Sequence, residues 1–260
     1  MSEASANLCR LDVAKFGDGQ DKAGLGGKMI VGDLKPLEEI VSAIKAYKQV
    51  LVLGCGSCVT VCLSGGEREA EQLSRELSQI RHYQGRAPKF EVGCILRQCE
   101  RDLVREYQDI PAGTDAVLSL ACGAGVQILA DAFEPLPVIP ALNTTFLGAS
   151  DKPGSWTEKC KGCGDCILIH TGGICPIARC AKSLFNGPCG GSQGGYCEVG
   201  EGIPCAWTQI VARLKKMDKL HHYEEIRAPK NWQPGGAAGL RKRVRTGLGD
   251  GSNTKQTKNS

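Results

Sequence analysis

Between Cys160 and Cys205 the chain places eight cysteines: Cys160, Cys163, Cys166, Cys175, Cys180, Cys189, Cys197 and Cys205. No other feature constrains the fold as strongly, because so many thiols in so short a segment call for a shared organiser, a metal or one another. The first three stand in Cys160-Lys161-Gly162-Cys163-Gly164-Asp165-Cys166. CxxCxxC spacing lets a tight loop wrap one face of an iron–sulfur cluster, and glycines between the thiols let backbone amides approach the sulfurs. Lys159 and Lys161 flank the loop and would offset part of the cluster's negative charge.

Disulfides are the bland alternative. The chain opens Met1-Ser2-Glu3-Ala4-Ser5-Ala6-Asn7, without the basic and apolar regions of a secretion signal. Reduced thiols and a cytoplasmic setting are therefore expected. Zinc is the stronger rival, since four thiolates suit a structural zinc site. Triple CxxCxxC spacing favours a cubane, whereas zinc ribbons pair two separate CxxC knuckles. Further on, Cys175-Pro176, Pro188-Cys189 and Pro204-Cys205 each join a thiol to a proline, which stiffens a loop where regular structure is sparse. Asn186-Gly187-Pro188-Cys189-Gly190-Gly191-Ser192 reads as a structured loop. Eight thiolates suffice for two four-ligand sites. One partition joins Cys160, Cys163 and Cys166 to Cys205 and leaves Cys175, Cys180, Cys189 and Cys197. Ligands can cross between clusters in two-cluster ferredoxins, so spacing leaves the partition open.

The first half alternates strand and helix. A helix is predicted from Pro36, with Glu38 and Glu39 in its first turn and Leu37, Ile40, Val41, Ile44 and Tyr47 on its apolar face. Val50–Gly54 is a short apolar strand. A capping box of Ser64 and Glu67 opens a second helix carrying Ala70, Leu73, Leu77 and Ile80. Phe90–Gly93 and Ala116–Leu120 are further strands, each followed by a loop and a helix. Pro140 confines a fourth strand, Val138–Leu142, to an edge. This pattern predicts an α/β fold, a parallel sheet covered by helices, followed by a loop-rich, cysteine-rich domain.

In such a sheet, ligands sit outside the carboxyl ends of the strands, where the cysteines of this half fall. Cys55, Cys58 and Cys62 form CxxCxxxC, and Cys99 or Cys122 would complete a second cluster site. Gly54-Cys55-Gly56 also resembles a phosphate-binding turn, but Val59 occupies the third glycine position, which argues against dinucleotide binding. The expected organisation is an irregular arm over 1–35, the α/β domain over 36–150, the iron–sulfur domain over 151–227 and a basic, disordered tail over 228–260. The turn-rich stretch 143–156 marks the boundary between the two folded parts. Expected cofactors are two to three [4Fe–4S] clusters, with zinc possible at one site.

Charge and hydropathy exclude several classes. No apolar run approaches bilayer length, so no membrane insertion is expected. The net charge of +4 is concentrated in the tail around Arg241, Lys242, Arg243 and Arg245. From Gly239 onward the chain lacks aromatic residues for stacking bases, so no nucleic-acid partner is expected. His82, His170, His221 and His222 show no zinc-finger spacing and read as packing or surface residues. Trp207, Ile210, Val211 and Leu214 share a helical face, with Trp207 shielding core.

Several runs also carry a resemblance: Trp156–Cys160, Cys163–Cys166, Thr171-Gly172-Gly173-Ile174-Cys175-Pro176, Arg179–Leu184 and Asn186–Gly191. They resemble the C-terminal domain of methylenetetrahydrofolate reductases, found as a separate chain in the small MetV-type subunit. Gly56–Cys62, Arg97–Glu100 and Pro140–Asn143 are similar to the same subunit, so the likeness spans roughly Ile40 to Trp207. It implies an iron–sulfur accessory subunit that relays electrons to or from the flavin of a catalytic partner, which reduces methylenetetrahydrofolate to methyltetrahydrofolate in one-carbon metabolism and the acetyl-CoA pathway. A flavin barrel plus this cysteine-rich half exceeds the chain's length, so a flavin-containing catalytic subunit is the expected partner, with further electron-transfer subunits possible. The alternatives are a structural zinc scaffold of the same complex and a stand-alone folate- or corrinoid-linked enzyme.

Overall fold

The structure is a computed structural model that describes residues 29–80, 87–152, 154–236, 239 and 241. Most of the expected arm, with Cys9, and the tail beyond 241 lie outside the described residues. The chain divides into two compact units. The first comprises Met1–Lys161 with Ile177–Arg179, the second Gly162–Pro176 with Cys180–Ser260.

The first unit opens with β1 (Met29–Leu34), α1 (Leu37–Ile44), β2 (Gln49–Cys55), a single helical turn α2 (Cys58–Val61), α3 (Glu67–Gln79) and β3 (Lys89–Ile95). It continues through α4 (Arg101–Arg105), β4 (Ala116–Leu120), α5 (Gly123–Phe133), β5 (Val138–Pro140), β6 (Leu142–Lys152) and β7 (Ser155–Cys160). Strands β3-β2-β4-β5 form a parallel sheet in that order. β5 lies at the edge, where Pro140, lacking an N–H, costs no ladder bond. The α/β expectation therefore holds. Residues 50–55 of β2 and all of β4 are buried, as central parallel strands covered on both faces must be. Helix α3 buries Ala70, Leu73 and Leu77 against one face, and Leu51, Leu53, Val104, Val117 and Leu129 form the core on the other.

Three local expectations need correction. Met29–Leu34 is a strand, not part of an irregular arm, and Asn143–Trp156 is no boundary. These stretches pair as a second, antiparallel sheet ordered β1-β6-β7, with Gly154 at φ +77° turning between β6 and β7. A register irregularity between Val31 and Gly32, and others in β6, break the two-residue alternation that a sequence pattern needs. The expected capping box also does not form: α3 starts after Gly66, whose N–H donates to the Glu69 carboxylate at 2.8 Å, the half of such a box that glycine, without a side chain, can make.

The carboxyl end of the parallel sheet is tied by one side chain. Gln98 is fully buried, and its amide donates to the Leu53 and Gly54 carbonyls at 2.9 and 2.8 Å while its oxygen accepts from Ser119 Oγ at 2.6 Å. The loop after β3 is thereby fixed to β2 and β4. Gln98→Met preserves volume but leaves the hydroxyl and both carbonyls without this partner. It should lower stability by about 1–3 kcal/mol, read from the midpoint shift in urea unfolding.

The second unit holds the 3-10 turn Leu168–His170, helix α7 (Ala206–Lys216), the short helix α8 (His221–Glu224) and a 3-10 turn at Gln233–Gly235. The short helix α6 (Pro176–Arg179) precedes Cys180. Its core is small: Ile174, Trp207, Ile210 and Leu214, with Cys180, Leu184 and Cys205 against them. Trp207 is buried as expected and donates from Nε1 to the Leu184 carbonyl at 3.0 Å. Gly187 packs so closely on the indole that an added Cβ would lie 2.3 Å from Nε1. Asn186–Ser192 forms neither helix nor strand, as read from its composition.

Candidate metal centres

Among the described residues, the thirteen cysteines read as metal ligands are not disulfide-bonded. Cys94, on β3, is disulfide-bonded and departs from the expectation of reduced thiols.

Parallel pairing brings the ends of β2, β3 and β4 together, with Cys55 opposite Ile95 and Gly54 opposite Leu120. Cys55 ends β2 and Cys58 opens α2. Cys99 follows Gln98 after β3, and Cys122 caps α5 after β4. The four thiols interact: Cys99 feels the charges of Cys122 and Cys58, and Cys55 feels that of Cys99. Burial is the main cause that pushes the Cys99 thiol up, with Cys122 and Cys58 adding to it and Arg97 opposing. Burial likewise pushes Cys55 up, against hydrogen bonds from the Gln98 and Ser57 backbones. Mutually repelling thiolates in a desolvated place are the arrangement a cation relieves.

Cys62 is placed differently. Its Sγ lies 3.0 Å from Ser64 Oγ and reaches toward the Ile30 and Val59 carbonyls, in the apolar cluster with Val31 and Leu120. The sequence reading grouped Cys62 with Cys55 and Cys58 and left Cys99 and Cys122 as alternatives. The structure brings both alternatives to the group, while Cys62, in the same apolar cluster as Cys55, directs its Sγ toward the Ile30 and Val59 carbonyls.

In the second unit, Cys180, Cys189, Cys197 and Cys205 line one cleft of about 370 Å³, with Lys182, Pro188, Ser192 and Trp207. This grouping differs from the partition that assigned Cys205 to Cys160, Cys163 and Cys166. Cys205 precedes α7 as its N-cap. Burial pushes its thiol up, but hydrogen bonds with Thr208, Ser192 and the Trp207 backbone outweigh that and leave it below the usual range. A helix N-terminus favours a thiolate for the same reason it favours any anion. Lys182 Nζ sits 3.7 Å from Cys189 Sγ and pairs with Glu198, which raises its own pKa. A cation is thus built into the cleft wall.

The CxxCxxC loop is held by residues that composition assigned to a disordered tail. Lys230 is buried, with its ammonium 3.2 Å from the Asp165 carboxylate, bonded also to the Asp165 carbonyl and 5.6 Å from the Trp232 ring centroid. Arg241 donates to the Gly162 and Pro234 carbonyls at 3.0 and 2.8 Å. Gly164, at φ +77°, passes so close to this strap that a Cβ would lie 2.4 Å from the Pro234 oxygen. The tail expectation therefore fails over 228–236, since basic composition suggested solvation but Lys230 is buried and paired with Asp165. Lys159 and Lys161, expected to face a cluster, are instead paired with Asp151 at 3.1 Å and Glu158 at 2.7 Å.

The donor set fits thiolate-bound metal at both places. Among the described residues, the compact group of three ligand atoms lying within 4.8 Å of one another is His170, His222 and Glu225, with no cysteine in it. Four sulfurs on one zinc at about 2.3 Å would stand less than about 4 Å apart.

Comparison with known proteins bears on the second half. Residues 139–233 match the family model described as methylene-tetrahydrofolate reductase C terminal. This segment belongs to that family. The match links the chain to methylenetetrahydrofolate reductase, starts later than the span of similar motifs and runs further, through the Lys230 strap. No curated protein and no solved structure matches the chain. The family segment contains all eight cysteines from Cys160 to Cys205, while the thiols at the strand ends precede it. No helix among the described residues is long and apolar enough to cross a membrane.

Two measurements test these sites. In reduced, metal-free protein, Cys205 should alkylate with iodoacetamide at a lower pH than Cys99, because its thiolate is favoured and that of Cys99 is not; peptide mass spectrometry across a pH series reads the order. Lys230→Met removes the cation that satisfies Asp165. It should cost about 1–3 kcal/mol and expose the strap to limited proteolysis at sites beyond Arg227.

Proposed function

We propose that this chain is the iron–sulfur accessory subunit of a methylenetetrahydrofolate reductase complex, relaying electrons to or from the flavin of a catalytic subunit. The observation that carries the reading is the pairing of a reductase-family segment with four thiols lining one cleft. Cys180, Cys189, Cys197 and Cys205 would hold one [4Fe–4S] cluster. Cys160, Cys163, Cys166 and, by elimination, Cys175 would hold a second. Cys55, Cys58, Cys99 and Cys122 would hold a third at the strand ends. Bound clusters supply one-electron steps, which a flavin gathers into the two-electron reduction of the folate.

The chain's own residues set the conditions for that chemistry. The Cys205 hydrogen bonds and the start of α7 favour the ligating thiolate, and Lys182 places positive charge beside Cys189. Such contacts raise a cluster's reduction potential by stabilising the added electron. Gln98 fixes the Cys99 loop against β2 and β4, so that the third site is set by the sheet rather than by flexible chain. A partner with a flavin is expected to dock where electrons can pass, and the complex is expected in the cytoplasm.

Anaerobic preparation of the chain with its catalytic partner, analysed for iron and acid-labile sulfide and by EPR after reduction, decides the reading. Cys189→Ser should remove about four iron atoms per chain, one cubane's worth, and weaken one EPR signal while sparing the others. Colourless, iron-poor protein that still supports full turnover would overturn the relay. Zinc in place of iron and sulfide would make the chain a structural scaffold.

A further inference from the structure

Outside the thiol sites, three side chains of the second unit converge. His170 ends the 3-10 turn Leu168–His170, His222 lies on α8, and Glu225 follows that helix. One ligand atom from each lies within 4.8 Å of the other two. The imidazoles meet edge to face with centroids 5.3 Å apart. A second observation is independent of that proximity: Nδ1 of His170 and Nδ1 of His222 are both buried without a hydrogen-bond partner. Each such atom has given up its water partner without gaining another, so two of them on touching rings point to a shared partner.

We infer that His170, His222 and Glu225 form a binding site for a first-row divalent cation of the zinc class, with solvent completing the coordination. Two imidazoles and a carboxylate are a borderline donor set that suits zinc, and the absence of sulfur separates this site from the thiol sites. Glu225 is exposed and shares one carboxylate oxygen with Arg227 at 3.1 Å, leaving the other oxygen for the ion. The cation would tie α8 to the turn at residues 168–170, joining segments about fifty residues apart in the chain. The sequence alone gave these histidines no partner spacing, because the three ligands come from separate elements.

The test is zinc retention by the full chain, with the zinc environment read by X-ray absorption. After equilibration with zinc sulfate and dialysis, the wild-type chain should keep about one zinc more than H222Q or E225Q, while iron and sulfide stay equal in all three. Loss of a ligand should weaken retention at least as much as the about 10–100-fold typical of second-shell changes. The zinc lost in the variants should show nitrogen and oxygen neighbours near about 2.0–2.1 Å with imidazole outer-shell scattering, not sulfur near about 2.3 Å. Glu225 is exposed, so E225Q keeps the fold even if H222Q does not, as circular dichroism will show. Equal zinc in wild type and E225Q, or a purely sulfur environment for the difference, would overturn the site.

Discussion

The first unit depends on parallel register. Pairing β2 with both β3 and β4 brings three strand ends to one level, and each end leads into a loop that carries a thiol. Parallel strands close no hydrogen bonds beyond their last residues, so something else must hold the loops that leave them. Gln98 does this, satisfying two carbonyls and a hydroxyl from two strands with one side chain. Without that buried network, Cys99 would hang from an untethered loop beside Cys55, Cys58 and Cys122.

The second unit meets the same need with much less regular structure. Its core is a few side chains around Trp207, too little by itself to order so long a loop-rich segment. Close packing of glycine on the indole, the start of α7 under Cys205, and the strap of Lys230, Trp232 and Arg241 supply the rest. Metal binding to thiolates adds folding free energy where the apolar core is small. In the sheet unit, by contrast, Cys55 and Cys62 are small members of a much larger apolar core.

Electrostatics differ at the two places in a way that matters for electron relay. At the strand ends burial and neighbouring thiols disfavour the thiolate, and Arg97 and a backbone hydrogen bond oppose them at Cys99. In the cleft, hydrogen bonds favour the Cys205 thiolate and Lys182 stands beside Cys189. On the reading proposed above, clusters held in such different fields would differ in potential.

The sequence by itself determined the parallel α/β order, the edge position of β5 and the apolar faces of α1, α3 and α7, and it showed where thiols are dense, because apolar periodicity and cysteine spacing are local properties. It could not show β1 and β6, whose irregular register erases the alternation, nor that Lys230 would be buried, since a cation's partner is invisible in composition. Which thiols meet was also decided in three dimensions. Cys62 shares a motif with Cys55 and Cys58 yet turns toward β1, while Cys99 and Cys122 arrive from other strands. Spacing along the chain fixes which side chains are near neighbours in sequence; only the packing of separate loops fixes which are near neighbours in space.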